Sequence, residues 1–66
     1  MNGQVLRLRQ DKGFGFIQCE DGQARFFHRT RCEPTTPFEQ LKEKDFVKFR
    51  LEEHEKGVRC VSVEYL

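Results

Sequence analysis

Lys12-Gly13-Phe14-Gly15-Phe16-Ile17 decides how this chain of 66 residues reads, together with a second aromatic cluster, Phe26-Phe27-His28, that begins ten residues after Phe16. In an extended strand, side chains two apart share a face. Phe14 and Phe16 therefore point the same way, with only Gly13 and Gly15 beside them. The same alternation puts Phe26 and His28 on one face and Phe27 on the other. If the two segments pair as neighbouring strands, four flat π-surfaces gather on one side of a sheet. Glycine inside a strand weakens it and often marks the close approach of another backbone or a ligand. With Lys12, Arg25 and Arg29 around it, this side reads as a wet, basic, aromatic platform rather than a core. Single-stranded nucleic acid binds such a surface by stacking its bases, helped by charge.

Working outward, period-two patterns and β-branched or aromatic content predict five strands. The first runs from about Gln4 to Arg9, the second from Phe14 to Glu20, and Asp21-Gly22 is a strong hairpin signal. Ala24 to Arg29 is the third. Pro34 and Pro37 then force a loop as far as about Lys44, with one helical turn around Phe38-Glu39-Gln40-Leu41. The fourth strand spans Phe46 to Glu52, with Val47, Phe49 and Leu51 on one side and Lys48 and Arg50 on the other. After a turn at Glu53-His54-Glu55-Lys56-Gly57, Val58 to Tyr65 makes the fifth. Five short strands predict an all-β fold, a small closed antiparallel barrel without free edges. Its expected core is Ile17, Phe27, Val47, Phe49, Val61 and Val63.

At this length the chain is one domain spanning residues 1–66, and it buries only about 60% of its unfolded surface, which leaves no room for a deep cleft beside a core. Net charge is +1, but the first 31 residues hold six Lys and Arg against three Asp and Glu, while the remainder holds six against eight. The positive excess lies in the half that carries the aromatics. Three widely spaced cysteines, with no C-x-x-C pair and no signal peptide, predict a reduced cytoplasmic chain. No apolar run approaches the roughly eighteen residues of a membrane span.

The chain resembles the cold-shock domain family, small five-stranded barrels of the oligonucleotide-binding (OB) fold, over essentially its whole length. Asp11 to Ile17, DKGFGFI, looks like the family's first ribonucleoprotein motif without a change. Arg25-Phe26-Phe27-His28-Arg29 is similar to the second, usually V-F-V-H-F. Weaker echoes are Gly3-x-Val5, Val47-x-Phe49 and Lys56-Gly57. The resemblance implies that Phe14, Phe16, Phe26 and His28 stack on bases, that Phe38 adds a stacking aromatic from the long loop, and that Lys12 makes a basic contact. Two positions depart from the pattern. Arg7-Leu8 stands where the family has Trp-Phe, and Arg29 stands where a Phe follows the histidine. A guanidinium can still lie flat on a base, so Arg7 and Arg29 are expected to face the ligand.

Other chemistries find little support. Cys19, Cys32, Cys60, His28 and His54 lack the paired spacing of a structural zinc site, and Cys19 and Cys32 read as buried apolar thiols. There is no nucleophile–base pair or paired carboxylates, and KGFGFI has neither the dinucleotide nor the Walker spacing. No cofactor and no catalytic step are expected. The sequence therefore predicts a monomer that binds single-stranded RNA or DNA with little sequence preference and acts as a nucleic-acid chaperone. The alternative, favoured by Arg7, Arg29 and the near-neutral charge, is a protein-interaction module that has kept the barrel and lost much of its nucleic-acid affinity.

Overall fold

Burial alternates residue by residue along Phe14–Cys19: Gly15, Ile17 and Cys19 are buried, while Phe14, Phe16 and Gln18 are half-exposed. That alternation is the signature of a strand with one wet face and one dry face. In the computed structural model, which describes residues 1–66, it forms β2. The other strands are β1 (Asn2–Arg9), β3 (Ala24–His28), β4 (Phe46–His54) and β5 (Gly57–Tyr65). Two single 3-10 turns, Arg29–Arg31 and Phe38–Gln40, interrupt the crossover from β3 to β4. The second lies where one helical turn was expected.

The strands close into a barrel in the order β1-β2-β3-β5-β4. Four of the pairings are antiparallel, but β3 and β5 run parallel, through the pair Phe26↔Arg59. The expected purely antiparallel barrel is corrected on this point. The reason is arithmetic: a ring of alternating strand directions closes only with an even number, so five strands must contain a parallel neighbour pair.

One irregularity positions the outer face. Val5 pairs with Ile17 but Arg7 pairs with Phe16, so Leu6 is the extra residue of a bulge in β1. Strict alternation from the buried Val5 would have pushed Arg7 and Arg9 into the barrel. Beyond the bulge Leu8 turns inward against the core, and both arginines are exposed. An unpaired guanidinium in so small a core would be prohibitive.

The core cluster comprises Val5, Ile17, Cys19, Phe27, Phe38, Leu41, Val47, Phe49, Cys60 and Val63. All six expected core residues are buried, although Val61 lies outside this cluster, in a cleft shared with Thr30 to Glu33. Leu51 is not in the core; it is 38% exposed on the part of the β4–β5 hairpin that leaves the barrel. Gly15 is needed by the interior, not by a ligand. A Cβ there would lie 2.6 Å from the Arg7 carbonyl oxygen and 2.8 Å from the Phe27 ring.

Cys19 and Cys60 are buried, whereas Cys32 is only half-buried, which corrects its assignment to the interior. Burial pushes the Cys60 thiol up to about 12 from 9.0, with the adjacent Cys19 adding to the effect. In the unfolded chain the same thiol ionises near pH 9, so stability from its neutral form is complete below that pH. It is then lost as pH rises from about 9 toward 12. Urea midpoints should accordingly fall through this window, and fall less steeply in Cys60→Ala.

Candidate nucleic-acid interface

Directly paired residues in a sheet present their side chains on the same face. The register therefore draws two rows across the outside of the barrel. Arg7 pairs with Phe16, Phe16 with Phe26, and Phe26 with Arg59, giving Arg7–Phe16–Phe26–Arg59 across β1, β2, β3 and β5. Beside it runs Arg9–Phe14–His28 on β1, β2 and β3. Three aromatic rings and the imidazole thus occupy the middle, with arginines at the ends.

The rings hold one another in place. Phe14 and Phe26 stack with centroids 5.5 Å apart and planes 29° from parallel. Phe16 meets both edge-on, at 6.1 Å and 6.0 Å. Each remains half-exposed, so the cluster is ordered before any ligand arrives, and little rotamer freedom is left to lose on binding. His28 is fixed by a different device. Its Nδ1 accepts a hydrogen bond from the Thr30 backbone N–H at 3.2 Å and lies 2.9 Å from Thr30 Oγ1. An accepting Nδ1 places the proton of the neutral ring on Nε2, which leaves a donor free.

The remaining expected site residues fall at different distances from these rows. Lys12 is exposed in the turn that leads into Phe14, where its backbone N–H donates to the Arg9 carbonyl at 3.0 Å. Arg29 is not in β3: it opens the first 3-10 turn, exposed, with its aliphatic stem against Gly13. Gly13 adopts φ +77°, and a Cβ there would lie 2.8 Å from Arg29 Cδ. Phe38 is corrected outright. It is 5% exposed and meets Phe27 edge-on at 5.9 Å, so the 3-10 turn after Pro37 aims the loop aromatic into the barrel. Arg25 is held by Asp21 at 2.9 Å, and that guanidinium lowers the Asp21 carboxyl below its usual range.

Two arginines join the face with more weight than sequence reasoning gave them. Arg9 comes opposite Phe14 through the bulge, which no local pattern announces. Arg59 was missed entirely. Its guanidinium lies 5.4 Å from the Phe26 ring centroid, a cation–π contact made possible by the parallel β3–β5 pairing.

Comparison with known proteins places this geometry. The family model described as 'Cold-shock' DNA-binding domain matches residues 1–66. The chain belongs to the cold-shock domain family. It is similar to the major cold shock protein of Streptococcus pyogenes serotype M6, at 38% identity over 64 residues covering 97% of this chain and 94% of that protein. It is also similar to the cold shock-like protein CspG of Escherichia coli K12, at 33% over 63 residues, 96% of this chain and 90% of that protein. The closed five-stranded barrel is the OB architecture of cold-shock domains, a family known for binding nucleic acid. No helix of this cold-shock domain is long and apolar enough to cross a membrane.

Proposed function

We propose that this cold-shock domain binds single-stranded RNA or DNA with little base preference over most of its face, and so keeps strands from pairing. The observation that carries the proposal is the pair of rows just described: a pre-packed cluster of Phe14, Phe16 and Phe26, with His28 beside it and Arg7, Arg9 and Arg59 at the margins. Stacking requires the flat face of an unpaired base, which a duplex hides. Rings accept any base, because every base has a π-face. Lys12 and Arg29 border the same surface and suit phosphate. No bond is made or broken; a strand held on the rings is unavailable for pairing, and mass action alone drives the chaperoning.

The test is a titration of a labelled strand of about six nucleotides, with its duplex in parallel, across a salt series. The single strand should bind better, and its log–log salt slope should flatten by about 0.7 for each phosphate contact removed. Replacing Arg7 and Arg9 together with Gln should therefore flatten it by about 1.4. Equal affinity for duplex and single strand would overturn the proposal, and an unchanged slope would remove both arginines from the interface.

A further inference from the structure

At the β5 end of the first row the surface is not flat. The β4–β5 hairpin runs past the point where β5 joins β3, because Phe26↔Arg59 is the pair that links those two strands and His54 to Val58 lie beyond it. A cleft of about 370 Å³ results, lined by Phe26, His54, Lys56, Gly57, Val58 and Arg59. That is the low end of the range for small-molecule sites, room for one nucleotide and not for several.

Arg59 is the unusual member. Its guanidinium is held over the Phe26 ring, yet it makes no ion pair and no side-chain hydrogen bond. Arg25, by comparison, is engaged by Asp21. Glu52 stands opposite Arg59 in the β4–β5 ladder, but no ion pair joins them. The N–H fork of Arg59 is therefore oriented by an aromatic ring and still unoccupied.

We propose that this cleft is a base pocket that extends the strand-binding site by one nucleotide, and that Arg59 makes it prefer guanine. The inference rests on the single-strand reading above and adds a position with base selectivity to a surface that is otherwise indifferent. Guanine offers two adjacent acceptors, O6 and N7, which match an arginine fork. Adenine presents a donor beside N7, and thymine, the reference base of the test below, has no two adjacent acceptors. Unstacked bases in single strands expose these edges, and a flat heterocycle fits against Phe26 and Val58. Lys56 also lines the cleft, so a phosphate is the competing occupant, and the 5′-phosphate control below separates charge from base recognition.

A set of short strands and two variants test this. A short thymidine strand is compared with the same strand carrying a guanine at either end, and with one carrying 7-deazaguanine, which lacks N7. A 5′-phosphorylated thymidine strand controls for charge. At fixed salt, one guanine-bearing strand should bind roughly tenfold tighter than all-thymidine, and 7-deazaguanine should forfeit most of the gain. Arg59→Lys keeps the charge and loses the fork, so it should bind guanine-bearing and all-thymidine strands alike; Arg59→Gln should abolish the preference too. Circular dichroism confirms that both variants fold. Wild type that binds all strands alike overturns this inference alone, as does a preference that survives in Arg59→Lys, or a gain conferred by the 5′-phosphate in place of guanine. Wild type that binds no strand overturns the single-strand reading with it.

Discussion

Phe27→Ala is expected to leave a large fraction of the molecules unfolded at room temperature, while Phe26→Ala leaves a folded domain. The two residues are adjacent in β3 and opposite in fate. Phe27 is fully buried, touches Phe38 and sits above Gly15, whose missing Cβ makes room for the ring. Truncating a buried Phe costs about 3–5 kcal/mol. A single core in a domain this short rarely holds more than about 3–5 kcal/mol in reserve, so the loss is comparable with the whole stability. Phe26 is half-exposed on the outside, and its neighbours Phe14, Phe16 and Arg59 can close partly over the gap. Thermal melts of the two variants separate them; equal losses would show that the inner and outer faces are wrongly assigned.

The second large effect is on binding. Phe16→Ala and Phe26→Ala should each weaken the single-stranded complex by about 1–3 kcal/mol, the contribution of one stacked base. Because the two rings touch, the double variant should lose less than the sum. Phe26→Ala carries an extra consequence, since it removes the surface on which Arg59 rests. Oligonucleotide titrations of folded variants at one salt concentration measure both losses, and affinity unchanged in both single variants would remove the rings from the interface.

The aromatic face was readable from the chain because period-two alternation is local: Phe14 and Phe16, or Phe26 and His28, need no partner to define a side. The buried face was readable for the same reason in Ile17, Phe27, Val47 and Phe49. What could not be read depends on contacts between distant segments. The bulge at Leu6 is invisible in the pattern Val5-Leu6-Arg7-Leu8-Arg9, which shows two inward candidates in conflict and not how the backbone resolves them. The Arg59–Phe26 contact needs a parallel register between strands separated by the whole crossover. Phe38 misled because an aromatic beside prolines in a polar loop suits an exposed ligand contact and a plug equally well; burial against Phe27 decided for the plug. The parallel seam, by contrast, follows from the strand count alone.

That seam has a mechanical side. β3 and β5 are joined in the sheet by the single pair Phe26↔Arg59, with one further bridge, Cys32↔Val63, where the chain has already left β3. Every other junction has at least three registered pairs. The barrel is thus a hoop with one thin weld, and the Phe16–Phe26–Arg59 row crosses it. On the proposed binding mode, a strand lying along that row would act as a suture: it would grip both lips of the join, and its affinity would be coupled to keeping the hoop shut. Holding a nucleic acid open and holding the protein closed would then be two ends of one equilibrium.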